Sequence, residues 1–472
     1  MTSTPASVES APAPDRRTVV VGGGLAGLAA AAALADAGLP VTLLESRRRV
    51  GGRAASFEDP LGGGLVDACQ HVAMGCCTNF LDLCRRAGLE GELRRDRTLW
   101  FIGPDGDRAA CTPSRMLPAP LHLAPLLLGM RHFSLRERCI LALGMIRLAG
   151  SATAASGARQ TALEWLRDAG QPERVIRLFW QPVLESALGE SIDLVGVASA
   201  RKVLVDGFLA HRDAADLLVP LAPLGQLFGE RLAGWLAGRG VEMRTASAAS
   251  AVERAPTGLV TAVACGGERL PCAALIVALP WRHAARLLPD IVPEADERLA
   301  GSPITAVHLW FDRDAIDLPH AVLVGRVSQW VFRSEGPAGE AGHCQVVISA
   351  SRGLLNDDRE RLVETVVGEL RAVFPRVREA RLLQAKVVTD PTAVLSVRPG
   401  VEAVRPPART TVPNLFLAGD WTATGWPSTM EGAVRSGRLA AAAAARSLGT
   451  DTAPLVADLP RGPLVRLLTG AD

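Results

Sequence analysis

Residues 18–45 constrain this chain more than any other stretch. They read Thr18-Val19-Val20-Val21, then Gly22-Gly23-Gly24-Leu25-Ala26-Gly27, then an alanine-rich run to Gly38, then Val41-Thr42-Leu43-Leu44-Glu45. Strand, glycine turn, helix, strand and acid in that order are the sequence form of a dinucleotide-binding βαβ unit. Gly22 permits the tight turn, Gly24 lets the backbone approach a pyrophosphate, and Gly27 lets the helix pack closely on the sheet. Leu25, Ala26 and Gly27 open a helix whose N–H groups and positive dipole end face the phosphates. Gly38 and Pro40 stop it. Glu45 follows Gly22 by 23 residues and ends the second strand. An acid there accepts hydrogen bonds from ribose hydroxyls and repels a 2′-phosphate.

A chain of 472 residues exceeds one typical core, so two or three domains are expected. With a net charge of only +2, nothing calls for a nucleic acid partner. The cations are arginines except Lys202 and Lys386, which fits a GC-rich coding sequence. Tyrosine is absent, which removes a common catalytic acid and the usual aromatic cage residue of amine oxidation. Nine cysteines with no C-x-x-C pair fit a reduced cytoplasmic protein, and Cys76-Cys77 is no metal-ligand spacing, so no metal is expected. Residues 1–16 read as a disordered tail without the apolar core of a secretory signal. No run of about 18 apolar residues predicts a transmembrane helix.

Residues 116–130 carry no formal charge, and His122 is their one strongly polar residue. Their prolines prevent them from spanning a bilayer. They fit either peripheral contact with the inner face of the cytoplasmic membrane, the mouth of an apolar tunnel, or a buried connection. Residues 76–224 read as a mostly helical insertion, and 286–407 as a second excursion with strand-like runs at 306–311, 321–324 and 345–348. Between them, a helix over 227–238 and strands at 241–245, 249–252, 259–265 and 274–280 return to the first domain. Near the C-terminus, Leu415-Phe416-Leu417-Ala418-Gly419-Asp420 is a strand ending in an acid. Ser428 and Glu431 have the spacing of a capping box opening a helix.

Three separated blocks, 18–53, 241–280 and 414–438, resemble the amine oxidase and phytoene desaturase superfamily of flavoproteins. The carrying residues are the glycine turn with Glu45, then Gly51-Gly52-Arg53, then Ala418-Gly419-Asp420 with Ser428 to Gly437. Asp67-Ala-Cys-Gln70-His71-Val-Ala-Met-Gly75-Cys-Cys-Thr and Phe179-Trp180-Gln181-Pro182 further resemble the squalene-associated FAD-dependent desaturase family. The pattern departs at Gln181, where an acid is expected, and over Ser186 to Ser191, where an Ala-Leu-Asn-Thr run is expected. Those departures bear on the substrate more than on the cofactor.

The resemblance implies an α/β fold: a Rossmann-like FAD-binding domain over 17–75, 225–285 and 408–447. A discontinuous α+β substrate domain would cover 76–224 and 286–407, followed by a tail over 448–472. It implies FAD held by Gly22, Gly24, Leu25, Ala26, Gly27, Glu45, Gly52, Arg53, Gln70, Ala249, Gly419, Asp420 and Met430. In that family the backbone at the Ala249 position meets the adenine, and the acid at the Asp420 position lies near the ribityl-pyrophosphate. The implied reaction is reductive loss of the allylic hydroxyl of hydroxysqualene, giving squalene for hopanoid synthesis. The alternative is a carotenoid or phytoene-type desaturation. A long apolar isoprenoid substrate needs a long apolar cavity, and the departing oxygen needs a proton. His71, Glu185 and Asp206 are the candidate donors. No second dinucleotide fingerprint is visible, so the reductant is expected either from an external donor or at a site without a readable motif.

Overall fold

β1 (Thr18–Val21), α1 (Leu25–Asp36) and β2 (Val41–Leu44) form where the pattern predicts them. The computed structural model describes residues 16–59, 64–151, 159–292, 298–334 and 342–470; the expected N-terminal tail lies almost wholly outside them. β1 pairs in parallel with β2 on one side and with Ala274–Val277 on the other. Glu242–Arg244 and Leu415–Leu417 extend the two edges, giving five parallel strands. Such a sheet is covered on both faces, which is why Val19 to Val21 and Leu275 to Val277 are unbroken apolar runs, all buried.

α1 packs against the C-terminal helix Met430–Ser447. Small residues make that crossing close. A Cβ on Gly437 would stand 2.1 Å from the Ala26 carbonyl oxygen, and one on Gly27 only 1.9 Å from that of Gly22.

A second sheet has seven strands, in the order Leu382–Leu395, Gly301–Phe311, His343–Ile348, Trp330–Arg333, His320–Leu323, Leu99–Ile102 and Arg108–Cys111. Its last two strands come from the region read as mostly helical, which also contains strands Leu93–Asp96 and Leu217–Pro220. A turn explains the difference. Gly103 donates to Asp107 O at 2.8 Å, Gly106 takes φ +83°, and Leu99-Trp100-Phe101-Ile102 is thereby folded back as a hairpin. Because Leu99–Ile102 pairs with His320–Leu323, the two excursions share one sheet. Helices of the first excursion bury Leu141, Phe179, Trp180 and Leu184 beneath it with Val322 and Val324.

Three helical stretches contain π-helical turns, at Ile176–Trp180, Val205–Leu209 and Leu227–Leu232. The last opens the helix expected over 227–238. The segment 116–130 folds as a short turn at Leu121–Leu123 followed by helix Ala124–Gly129. Its two faces differ: Leu123, Leu126 and Met130 are core residues, whereas Met116 is 93% and Leu128 65% exposed. After residue 448 the chain is fastened to the body. Gly462 donates to Ala210 O at 3.0 Å, Asp458 pairs with Arg435, and helix Pro463–Thr469 packs on helix Leu135–Gly150. No helix among the described residues is long and apolar enough to cross a membrane.

Candidate active site

The β1–α1 turn places its groups through short, local constraints. Gly22 sits at φ +110°, a conformation only glycine adopts readily, and donates to Leu44 O at 2.8 Å. Glu45, buried at the end of β2, accepts from the Gly23 N–H at 2.8 Å and from the Arg47 N–H at 2.8 Å. The acid therefore braces the glycine turn as well as edging the cleft. The second glycine pair lies against the first: Gly51 donates to Gly23 O at 2.8 Å, and a Cβ on Gly52 would stand 3.0 Å from the Gly24 Cα. Ala246 and Ser247 donate to the carbonyls of Arg47 and Glu45, each at 2.8 Å, which brings the start of strand Ala249–Arg254 to the same end of β2.

The first turn of α1 fits an anion. Gly24 is its N-cap, in extended backbone with no side-chain cap, and no acid lies in that turn. Leu25, Ala26 and Gly27 are buried there. N–H groups of a first turn have no intrahelical acceptor, and the dipole adds positive potential. This donor set suits a diphosphate, and the acid at Glu45 suits a ribose.

Across the cleft, Gly419 (φ +136°) donates to Ser436 Oγ at 2.8 Å and turns the chain into Asp420. Asp420 is buried, ion-paired with Arg53 and hydrogen-bonded by the Ser428 hydroxyl. Burial pushes its carboxyl up. The Arg53 charge and hydrogen bond, with Ser428 and Arg405, outweigh that and hold it below the usual carboxylate range. Arg53 also donates to Ala393 O at 2.7 Å. It lies deep in the protein, yet its side chain is 36% accessible because it borders an internal cavity.

The expected capping box at 428–431 does not form. Thr429 is the N-cap, accepting from the Gly432 N–H at 3.2 Å, while Ser428 turns to Asp420 and to the Leu395 N–H at 3.0 Å. Glu431 is fully buried and faces α2 (Thr78–Arg86). It accepts from the N–H of Asn79 at 3.2 Å, the Asn79 side-chain amide at 3.0 Å, the Phe80 N–H at 2.7 Å and Arg435 Nε at 2.6 Å. α2 has no side-chain cap from its own N-cap residue, so a carboxylate from another helix satisfies its first turn. Met430 begins the C-terminal helix and lines the cavity.

That cavity, about 380 Å³, is mostly apolar and lies between the seven-stranded sheet and helices of the first excursion, with the segment Trp426 to Glu431 also on its wall. Arg53, Gln70, His71, Met430 and Glu431 lie on its wall together with Phe101, Phe208, Trp330 and Phe332. Trp330 and Phe332 stack in parallel with centroids 5.4 Å apart. Gln70 is held through its backbone N–H, which donates to the Gln345 side chain.

The three candidate proton donors occupy different settings. His71 reaches the wall, and its Nδ1 lies 2.8 Å from Cys69 O, which requires the proton on Nδ1. Burial lowers its pKa, so the ring is neutral with an unprotonated Nε2: an acceptor, not an acid, at neutral pH. Burial lifts the Glu185 pKa to about 7, so its carboxyl is partly protonated near neutral pH. Its carboxyl, however, meets Gln181 at 3.3 Å, the Ile192 N–H at 3.4 Å and Gln329 at 3.5 Å, and the cavity wall is formed by its neighbours Pro182, Val183 and Ser186. Asp206 lies on the wall, paired with Lys202 at 2.7 Å and with Arg461 at 3.4 Å.

Sequence reading missed two polar wall residues. Asp390 carried one faint signal, a proline following it inside a strand-like run. Lys202 carried another, a lysine in a chain that otherwise uses arginine.

The model of the flavin containing amine oxidoreductase family matches residues 25–445. The chain belongs to that family. It is an FAD-dependent oxidoreductase; the uncapped first turn of α1 and the Glu45 carboxylate are a donor set and an acid that fit FAD. Among curated relatives, the flavoprotein is similar to the 15-cis-phytoene desaturase of Narcissus pseudonarcissus, 27% identical over 92% of this chain and 81% of that one. It is equally similar to the hydroxysqualene dehydroxylase of Sinorhizobium fredii, 27% identical over 89% of this chain and 96% of the relative. An oxidoreductase from Methanosarcina mazei shares the fold, with a TM-score of 0.68 at 16% identity, covering 89% of this chain and 98% of the other.

Proposed function

We propose that this flavoprotein removes the hydroxyl of hydroxysqualene reductively, giving squalene in hopanoid synthesis. The observation that carries the reading is the apolar cavity bordered by Arg53, Gln70 and Met430, which are assigned to the cofactor, and by the candidate donor His71. Its volume lies in the range of small-molecule sites, about 300–1,000 Å³. Reduced FAD supplies a hydride when bound. The chain's own part is to hold the isoprenoid against that cofactor, exclude water, and surround developing positive charge with the faces of Trp330 and Phe332. We assign Gly22, Gly24 to Gly27, Glu45, Gly52, Arg53, Gln70, Ala249, Gly419, Asp420 and Met430 to FAD binding. We assign the reductant to an external donor.

Oxidative desaturation of a phytoene-like polyene is the second reading. Neutral His71 favours it, because an unprotonated Nε2 suits accepting a proton more than giving one. An anaerobic incubation separates the two. Enzyme carrying reduced FAD should convert hydroxysqualene to squalene; unchanged hydroxysqualene together with desaturation of phytoene by the oxidised enzyme would overturn the first reading.

We also propose peripheral contact with a lipid bilayer. Exposed Met116, Leu121 and Leu128 are joined by Leu135 and Leu143 of helix Leu135–Gly150 and by Leu467, 82% exposed on the helix packed against it. Leu126 belongs to the core and is a poor site to probe. Met116→Asp with Leu128→Asp should cut flotation with anionic liposomes several-fold and leave the urea midpoint unchanged, since surface changes are worth about 0.5 kcal/mol or less. Undiminished flotation would exclude this face.

A further inference from the structure

Lys202 is one of two lysines in a chain whose other cations are arginines. It lies on helix Val197–Leu204, immediately before the π-helical turn Val205–Leu209 that carries Asp206. Turns of this kind are frequent at functional sites, because the extra residue re-aims the side chains that follow. Both side chains line the mostly apolar cavity, and their ion pair measures 2.7 Å. The ammonium also lies 4.6 Å from the centroid of the Trp426 ring, on the loop that leads into Ser428 and the C-terminal helix. That loop borders the proposed cofactor region, so the pair sits beside it.

An ammonium has three N–H donors. Among the described residues, Asp206 is the acceptor found for Lys202. Asp206 is itself held by Arg461 at 3.4 Å, which fixes the pair from outside the cavity. A hydrocarbon has nothing to offer these donors, whereas a hydroxyl oxygen accepts and its proton donates. Placing a hydrocarbon against them costs their solvation; an alcohol replaces the lost water.

Resting on the reading above, we infer that Lys202 and Asp206 are specificity-determining residues that anchor the hydroxyl of the isoprenoid. Lys202 donates to the hydroxyl oxygen, and Asp206 orients the ammonium and accepts from the hydroxyl. The arginine alternative would fill this position with a broad planar fork instead of a compact donor.

Binding alone tests this. Oxidised FAD-loaded protein is titrated with hydroxysqualene and with squalene in the same detergent, following the perturbation of flavin absorbance. Wild type should bind the alcohol about tenfold more tightly or better, as expected for a hydrogen bond to a charged group. Lys202→Met should bring the ratio close to one while squalene affinity stays within about twofold, the direction set by loss of the charged donor. Where that variant fails to fold because Asp206 is left with Arg461 alone, the double variant Lys202→Gln with Asp206→Asn keeps the volume and neutralises both partners. It should show the same loss of preference. An unchanged ratio, or equal weakening for both ligands, would overturn the anchor. Squalene formation without any preference for the alcohol removes the anchor and leaves the reaction; a preference lost on Lys202→Met without turnover removes the reaction and leaves the anchor.

Discussion

Glu431→Ala should destabilise the protein by about 3–5 kcal/mol, the cost of removing one partner from a buried ion pair. The carboxylate is fully buried and serves four donors at once, two of them backbone N–H groups at the start of α2. Alanine leaves Arg435 Nε and both N–H groups without their acceptor, and a buried unsatisfied donor costs about 1–3 kcal/mol. α2 and the C-terminal helix are joined through this residue, so the loss appears in the urea midpoint of the apoprotein and again as reduced FAD retention. Glu431→Gln keeps an acceptor for only one of the two N–H groups, which go to different carboxylate oxygens, and should recover less than half the loss. If the alanine variant unfolds at the wild-type midpoint, the carboxylate is not the tie between these helices.

Asp420→Asn should cost about 3 kcal/mol, the lower end for breaking a buried pair, because the Arg53 side chain retains contact with the cavity. Its pH dependence has a definite sign. Arg53 and Ser428 hold the folded pKa below the ordinary value, which is about 3.9 in an unfolded chain. The pair's contribution is therefore complete above about pH 4 and is lost as pH falls through the lower folded pKa. Urea unfolding of the two proteins should differ by a constant amount from pH 5 to 8, and the gap should narrow in acid. A gap that instead widens toward low pH would show that Asp420 is not the charged partner of Arg53. FAD retention should fall with the same substitution, since Arg53 loses the group that fixes it.

The parts of this molecule that sequence reveals are those whose reasons lie close along the chain. Gly22, Gly27 and Glu45 answer to contacts within about one βαβ unit, so their roles follow from spacing. Glu431 does not. Its spacing from Ser428 imitates a cap, but its true partners, Asn79 and Phe80, lie some 350 positions away, and nothing local distinguishes the two outcomes. The same limit hid Leu99–Ile102, whose place in the sheet depends on pairing with His320–Leu323. Among the candidate donors, residue type drew attention to His71 and Glu185, while the tautomer follows from the fold of the backbone at Cys69 and the carboxyl's setting from Gln181, Ile192 and Gln329 together.

The long strand Leu382–Leu395 has a mechanical consequence. It begins at the far edge of the seven-stranded sheet and ends beside the cofactor cleft, where the Ala393 carbonyl accepts from Arg53 and the Leu395 N–H donates to Ser428. Farther along, the Val397 carbonyl accepts from the Gly196 N–H at 2.8 Å, and Val394 packs where a Cβ on Gly189 would fall. The strand is thus a rivet through three parts of the molecule. Moving this strand relative to Gly189, Gly196, Arg53 and Ser428 would break those bonds and contacts together, so it ties these segments into one frame.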